Sequence, residues 1–217
     1  KKDNFLGVLP LGSGNGFARE LGFKNSLASL IEDAKKGEFI EVDVLTVNGE
    51  NCVNAAGLGF DSFVAHDFQQ RNRRGLKSYI YSVLKSVFSF KPFSATIYFE
   101  GEKIQDKFQM ITIANTRQFG NNAIIAPLAN PTDGKFDLVL VKPFPFYKYP
   151  GFVVQMFLGN LKASRFLQFI STDKNVKIES GLKAFHIDGD PKVFTENLSI
   201  KIGENKVRII KTKDCPF

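Results

Sequence analysis

The feature that most constrains the fold is a succession of short strand-forming segments in the second half of the chain. After Pro92 the apolar runs are short and are bounded by glycine, proline, asparagine or aspartate, as expected of strands that end in turns. Strands are predicted at residues 93–99, 108–115, 136–141, 176–179, 184–187, 198–202 and 207–210. One helix, at about residues 150–158, interrupts them. Many short strands with frequent turns indicate a β-sandwich.

A hairpin and two helices are predicted before Pro92. Residues 42–47 and 51–55 flank Asn48-Gly49, and Asn-Gly is a strong hairpin signal because both residues tolerate positive φ. The spacing of apolar residues then predicts helices at about 62–69 and 76–90.

The first 38 residues differ from the rest. An apolar run at residues 5–10 predicts a short buried strand, and a glycine-rich turn follows at residues 12–16. Helices are predicted at 17–21 and 26–36. Since an α/β domain needs several strands, we expect residues 1–38 to be the end of a truncated α/β domain. Residues 39–217 would form the β-rich domain of an α+β chain.

Composition restricts the class of protein. Hydrophobic residues make up 43% of the chain, and two cysteines are too few for a disulfide framework. No apolar run reaches the roughly 20 residues that span a bilayer, so a cytoplasmic protein is predicted. The net charge of +7 favours anionic partners such as nucleic acid, nucleotides or a membrane surface. No signature of a specific nucleic-acid binder is found.

The glycine turn at residues 12–16 is the strongest local candidate for function. Between a strand and a helix, such a turn presents backbone N–H groups to an anion, and glycine allows close approach. It is not a Walker A loop, since no Lys-Ser/Thr pair follows. It is not a nucleophile elbow, since Leu11 and Asn15 stand where glycines are needed. Considered alone, the turn is equally consistent with a plain strand-to-helix connection.

A longer comparison of motifs favours function. Residues 7–19, GVLPLGSGNGFAR, resemble the motif P-x-G-[ST]-x-N-[DAG]-[FL]-A of the diacylglycerol kinase/sphingosine kinase superfamily. Three further stretches agree in the family's order. They are NAAGLGFD at 54–61 with RGLKSY at 74–79, the segment from AN at 114–115 through AP at 126–127 to TDGKFD at 132–137, and IDGD at 187–190. The last is similar to a D-G-E motif with Asp in place of Glu.

The resemblance implies ATP-dependent phosphorylation of a lipid alcohol, of the diacylglycerol or sphingoid-base type. The turn residues implied to line the nucleotide phosphates are Gly12, Ser13, Gly14 and Asn15. Asp188 would be the general base for the lipid hydroxyl, although an Asp-Gly pair by itself is more typical of a hairpin turn. Asp190 is the second catalytic residue that the resemblance implies, and in an extended segment it would share a face with Asp188.

The resemblance also implies Mg²⁺. Asp43 and Asp133 fall where bacterial diacylglycerol kinases place aspartates of a Mg²⁺–water network, although Asp43 is equally consistent with an exposed strand position. Gly16 stands where those enzymes have Asp, which favours the sphingosine kinase-like branch. Asp61 would approach the polar head of the acceptor lipid.

A membrane surface is an expected partner. The residues expected to contact it form one dense basic cluster: Arg71, Arg73, Arg74 and Lys77. A solvated helix end explains the same pattern. The resulting prediction is a peripheral membrane enzyme that binds nucleotide and lipid but no specific nucleic acid; the oligomeric state is open, a homodimer included.

Three other functions are consistent with the sequence. One is a kinase of the same superfamily with a soluble acceptor, similar to NAD kinase. The second is a non-catalytic lipid-binding or regulatory module, and the third is a basic nucleic-acid binder. Members of the superfamily carry a GGDGT motif on the domain that binds ATP, and this string is absent from the 217 residues. We therefore expect the chain alone to be inactive.

Overall fold

The computed structural model describes residues 4–12, 14–60, 62, 90–194 and 196–217. The helices among these residues are α1 Gly16–Glu20, α2 Leu27–Lys36 and α3 Tyr149–Phe157, with a 3₁₀ turn at Phe146–Lys148. The strands are β1 Phe39–Val42, β2 Leu45–Val47, β3 Glu50–Cys52, β4 Ala55–Gly59, β5 Phe93–Phe99, β6 Glu102–Phe108, β7 Met110–Ala114, β8 Phe136–Val141, β9 Leu167–Thr172, β10 Val176–Ser180, β11 Ala184–Ile187, β12 Asp190–Val193, β13 Leu198–Ile202 and β14 Val207–Ile210.

Two antiparallel six-stranded sheets form the main body. Their strand orders are β3-β2-β13-β10-β5-β6 and β12-β11-β4-β7-β8-β9. One hydrophobic core joins them, because Leu45 and Ile97 of the first sheet pack in the same buried cluster as Ile111 and Leu138 of the second. Alternate residues of a strand point to opposite faces, so each sheet contributes one apolar face to this core. The β-sandwich predicted from the strand pattern is confirmed.

A smaller body is built around β1 and β14. These two strands pair with each other, Ile40 lying opposite Ile209. Leu21 of the segment after α1 and Leu30 of α2 pack in the same apolar cluster. This cluster therefore contains residues from both sides of the predicted boundary at 38/39, which stays a prediction.

The prediction of a buried strand at residues 5–10 is wrong. Leu6 makes one parallel bridge to Ile209, and the side chains of Phe5 and Leu6 are exposed. Two backbone hydrogen bonds, from Leu6 to Arg208 and from Ile210 to Leu6, hold this single bridge, and the pairing does not continue along the segment.

Several local predictions are confirmed. Helix α2 begins after Ser26, whose Oγ accepts a hydrogen bond from the Ser29 amide, and it ends at Gly37 in the left-handed region. Asn48 and Gly49 both have positive φ and join β2 to β3. The helices predicted at 62–69 and 76–90 lie outside the described residues, apart from residues 62 and 90.

Five strands, β1, β4, β6, β9 and β12, escaped prediction, apart from a single end residue in β1, β4 and β6. Strand β6 carries mostly charged and polar residues and lies at the edge of its sheet, where one face and one edge meet water, so its sequence lacks the apolar pattern of a central strand. No helix within the described part of the chain is long and apolar enough to cross a bilayer.

Candidate functional site

Asp188 lies in a two-residue turn between β11 and β12. Ile187 pairs with Asp190 across the hairpin, and Asp188 and Gly189 have φ of 51° and 88°, as in a type I′ turn. The segment is therefore not extended at Asp188, and the expectation that Asp188 and Asp190 share a face of an extended segment is wrong. The hairpin turns the Asp188 carboxylate toward the connection between β3 and β4.

Four donors converge on the Asp188 carboxylate. Its Oδ1 accepts hydrogen bonds from the backbone amides of Asn54 at 2.8 Å and Ala55 at 3.1 Å, and from the Cys52 thiol at 3.2 Å. Its Oδ2 accepts one from the Val53 amide at 3.0 Å. The residue as a whole is nevertheless exposed. The carboxylate is thus fixed in position, and Oδ2 keeps a lone pair for a further donor.

Cys52 is fully buried against this carboxylate. Burial, reinforced by the negative charge and hydrogen bond of Asp188, holds the pKa of the Cys52 thiol well above its usual range. The thiol therefore stays protonated and can keep donating to Asp188.

The glycine turn is closed by its own asparagine. Asn15 Oδ1 accepts a hydrogen bond from the Gly12 amide at 2.8 Å, and Asn15 Nδ2 donates to the Gly12 carbonyl at 2.5 Å. Asn15 itself has φ of 51°. A Cβ atom at Gly14 would meet nothing within 4 Å, and among the described residues the Gly14 amide has no acceptor. One side of the turn, at Gly14, is therefore open. Ser13 lies outside the described residues.

A loop at residues 117–126 supports the other side of the turn. Asn121 donates its amide to the Gly14 carbonyl at 3.1 Å, and Gly120, with φ of 145°, lies against the Gly14 backbone. A Cβ at Gly16 would lie 2.5 Å from the Phe119 carbonyl oxygen. This packing leaves no room for a side chain at position 16, where the resemblance places an Asp in bacterial diacylglycerol kinases and this chain has Gly.

Asn54 connects the glycine turn to Asp188. Its side-chain Nδ2 would lie 3.0 Å from a Cβ built on Gly16, and its backbone amide donates to Asp188 at 2.8 Å. The Asn54 side chain is buried and accepts a hydrogen bond from the Thr116 hydroxyl. The turn and the carboxylate are therefore one residue apart in space, although their sequence positions differ by more than 170.

Asn115 connects Asp43 to Val53 and Asn54, two of the residues whose amides donate to Asp188. Its Nδ2 donates to the carbonyl oxygens of Asp43 at 2.9 Å and Val53 at 2.7 Å, while its amide donates to the Asn54 carbonyl. We refer to Asn54, Asn115 and Thr116 as the polar cluster. In the sequence the two asparagines are recognisable only as motif members, Asn54 as the first residue of one motif and Asn115 as the second residue of another, and no role for the cluster was predicted.

Asp43 and the turn containing Asp133 are brought together. Asp43 is buried, Oδ2 accepts the Gly134 amide at 2.8 Å, and Lys206 Nζ lies 2.9 Å from Oδ1 as an ion pair. The alternative of an exposed strand position for Asp43 is therefore wrong. Asp133 Oδ1 accepts the amide of Lys135.

These residues do not fit direct coordination of Mg²⁺. Asp43 Oδ2 already accepts a backbone amide, Asp43 Oδ1 is held in an ion pair with the Lys206 ammonium, and Gly16 supplies no carboxylate. Among the described residues no group of three or more metal-binding side chains is present. Mg²⁺ bound by protein needs oxygen ligands in near-octahedral geometry, which this arrangement does not offer.

Other predicted site residues are not tested by this geometry. Asp190 is exposed at the start of β12. Asp61 and the basic cluster from Arg71 to Lys77 lie outside the described residues.

Comparison with known families identifies the chain. Residues 54–197 match the model of the YegS C-terminal NAD kinase beta sandwich-like domain, which is more than half of the 217 residues. The chain belongs to this family. Residues 1–47 match the diacylglycerol kinase catalytic domain. The chain is thus a member of the diacylglycerol kinase-like lipid kinase superfamily, a family of phosphotransferases, as its motifs predicted.

Two curated relatives align with the chain at low identity. A protein named "Probable lipid kinase YegS-like" from Shewanella frigidimarina is 25% identical over 97% of this chain and 68% of its own length. The diacylglycerol kinase of Bacillus subtilis is 27% identical over 63% of this chain and 46% of its own length.

Two solved structures share the fold. A diacylglycerol kinase from Bacillus anthracis has a TM-score of 0.70 at 17% identity, covering 97% of this chain and 68% of that one. An NAD kinase from Archaeoglobus fulgidus, in complex with ATP, has a TM-score of 0.52 at 13% identity, covering 87% and 61%.

Proposed function

We propose that the chain is the larger part of a kinase that transfers the γ-phosphoryl group of ATP to the hydroxyl of a lipid alcohol, of the diacylglycerol or sphingoid-base type. The observation that carries the proposal is the approach of the open glycine turn to Asp188, with only Asn54 between them. Phosphoryl transfer requires a bound phosphate chain and a proton acceptor for the attacking hydroxyl, close to each other.

In this proposal the glycine turn holds the phosphates of ATP. Support comes from the open side at Gly14, whose amide has no acceptor among the described residues. A glycine there lets phosphate oxygens approach the backbone closely. The Gly12 amide is bound to Asn15, so the role assigned to Gly12 and Asn15 is to shape the turn.

Asp188 accepts the proton of the lipid hydroxyl through Oδ2. Three donors on Oδ1 and one on Oδ2 fix the carboxylate in position. The lipid hydroxyl hydrogen-bonds to the remaining lone pair of Oδ2. As the hydroxyl oxygen forms its bond to the γ-phosphorus and the bond from that phosphorus to ADP breaks, the hydroxyl proton passes to Oδ2. Magnesium accompanies ATP in phosphoryl transfer and neutralises its charge. We assign no residue of this chain to hold it.

The lipid acceptor is supported by the names of relatives, which include lipid and diacylglycerol kinases. A soluble acceptor is the second candidate, since an NAD kinase shares the fold. A non-catalytic module is the third. We further propose that the protein acts at the cytoplasmic face of a membrane and binds no specific nucleic acid.

The test is transfer of label from γ-labelled ATP to a panel of diacylglycerol, sphingoid base and NAD. The complete gene product is assayed beside the 217-residue chain, and we expect turnover only with the former because the chain lacks GGDGT. In the complete product, Asp188→Asn should reduce kcat by at least a few hundredfold, the scale of lost acid–base catalysis.

Asp190→Asn is the matched control, since it makes the same chemical change two residues away on an exposed strand end. It should retain most of the activity. Asn at position 188 leaves one backbone amide without its acceptor, so Asp188→Asn can also destabilise the protein. Thermal unfolding of both variants therefore shows whether a loss of activity comes from lost catalysis or from lost stability. Full activity of Asp188→Asn would remove Asp188 from the proposed role, and labelling of NAD alone would replace the lipid by a soluble acceptor.

A further inference from the structure

The region around α3 exposes large apolar side chains. Phe146 and Tyr147 of the 3₁₀ turn are 70% and 66% exposed, Val154 of α3 is 56% exposed, and Leu158 just after it is 66% exposed. Helix α3 itself, YPGFVVQMF, contains no charged residue. A surface helix normally carries polar side chains on the side that faces water, so this helix leaves an apolar face uncovered.

Cations surround this apolar face. Residues 138–172 contain Lys142, Lys148, Lys162 and Arg165 but no aspartate or glutamate. Lys142 pairs with Asp106. The other three are exposed and make no ion pair with a described carboxylate. We call the exposed residues Phe146, Tyr147, Val154 and Leu158, with Lys148, Lys162 and Arg165, the α3 surface.

The α3 surface rests on a packed aromatic base. Phe144 stacks on Tyr149 with ring centres 4.3 Å apart and also contacts Phe152. The cations of Lys148 and Arg165 lie 5.0 and 4.5 Å from the centre of the Phe166 ring. Between α3 and residues 160–167 runs an open groove of about 890 Å³. The exposed side chains therefore project from an ordered support.

We propose that the α3 surface docks the protein onto an anionic phospholipid bilayer. Aromatic and aliphatic side chains enter the boundary between headgroups and acyl chains, while lysine and arginine contact the phosphates, the pairing found in proteins that lie on membranes. An acidic peptide is the weaker candidate, because the centre of the surface is apolar and a peptide backbone there needs hydrogen-bond partners.

The position of the α3 surface suits an enzyme acting on lipid. Ile124 donates its amide to the Met156 carbonyl of α3 at 3.0 Å, and Asn121 of the same loop donates to Gly14 at 3.1 Å. One loop thus contacts both the docking helix and the glycine turn. The α3 surface is then the part of the proposed kinase that contacts the membrane. Since vesicle binding needs no ATP, a failure of the α3 surface to bind vesicles leaves the proposed phosphoryl transfer standing.

Sedimentation with vesicles tests the proposal. The probe is phosphatidylcholine vesicles with and without phosphatidylglycerol, and we expect binding to the anionic vesicles alone, weakened by salt. Combining Lys148→Gln, Lys162→Gln and Arg165→Gln should reduce the partition constant about a hundredfold, at about fivefold per cation. Combining Phe146→Ser, Tyr147→Ser and Leu158→Ser should reduce it about tenfold or more.

The matched control combines Lys35→Gln, Lys201→Gln and Lys213→Gln, which removes the same charge from exposed lysines outside residues 138–172. It should bind nearly as well as the parent chain. An equal loss in this control would show attraction by net charge alone and overturn the proposal. Unchanged binding of the two α3 variants would do the same. Polyglutamate serves as the probe for the acidic-peptide alternative: if the lysine and arginine variant lost binding to polyglutamate but kept binding to vesicles, an acidic peptide would replace the bilayer as the partner.

A fluorescence measurement reports the contact directly. The chain has no tryptophan, so Tyr147→Trp creates a single reporter on the α3 surface and Leu27→Trp creates one on the exposed side of α2. Anionic vesicles should shift the emission of the first to shorter wavelength and leave the second unchanged. A shift in the second alone would place the bilayer on another surface.

Discussion

The polar cluster and the α3 surface differ in which side chains they bury and which they expose. In the polar cluster, hydrogen-bonding side chains are buried and bond within the protein, as with the Asn115 side-chain nitrogen, which donates to two carbonyl groups. On the α3 surface, apolar side chains are exposed and three cations have no described carboxylate partner. A buried polar group that loses its partner is costly, whereas an exposed apolar group changes folding stability little.

The two regions serve different needs: the polar cluster fixes the spacing of the proposed catalytic groups, and the α3 surface provides the proposed contact with a membrane. Phosphoryl transfer needs the glycine turn and Asp188 at a fixed spacing, and buried hydrogen bonds supply it. Contact with a bilayer needs exposed apolar side chains and exposed cations that are not already paired within the protein. We therefore expect substitutions in the polar cluster to affect stability and those on the α3 surface to affect binding.

The largest effect is expected for Asn115→Ala. It leaves the carbonyl groups of Asp43 and Val53 without their donor and opens a small cavity, so the free energy of unfolding should fall by about 3 kcal/mol. Phe146→Ser, on the α3 surface, should change it by no more than about 0.5 kcal/mol. Urea unfolding of both variants measures the contrast. Equal effects would break the distinction between the two regions.

A smaller effect is expected for Lys206→Met. This change leaves the buried Asp43 carboxylate without its cation, and because Lys206 is partly exposed we expect a loss of about 2 kcal/mol, below the range for fully buried pairs. Lys148→Met, which removes a cation without an ion pair, should have almost no effect. Added Mg²⁺ should not stabilise the parent chain, since Asp43 is already paired; a clear rise in melting temperature with Mg²⁺ would contradict this reading of the site.

The smallest effect is a dependence on alkaline pH. The pKa of Cys52 is raised in the folded state by burial and by Asp188, so above the ordinary thiol range the unfolded chain loses a proton that the folded chain keeps. Stability should therefore fall as pH rises, by up to about 1.4 kcal/mol per pH unit for this one group.

Cys52→Ser should remove that contribution and keep a donor to Asp188, whereas Cys52→Ala removes both. Urea unfolding across the alkaline range compares the slopes of both variants with the parent chain and with Phe146→Ser, which should keep the parent slope. An unchanged slope in Cys52→Ser would show that the thiol ionises normally.

Local chemistry made some elements predictable. Ser26 and Gly37 mark the ends of α2, and Asn48-Gly49 sets the hairpin, because capping and positive φ are properties of one or two neighbouring residues. The same holds for the turn at Asp188-Gly189, which the sequence also suggested. Strand β6 was missed since an edge strand of mostly polar residues resembles a loop in sequence.

The sequence by itself determined the superfamily, the β-sandwich, and the choice of the glycine turn and Asp188 as candidate site residues. Motifs and strand patterns can be recognised because each depends on a few residues that are close together in the sequence. Only the tertiary structure decided that Asn54 connects them, that Lys206 occupies one oxygen of Asp43, and that Gly16 faces a carbonyl group. These are contacts between residues far apart in the chain. Their partners depend on how the strands are ordered and paired, which no local pattern specifies.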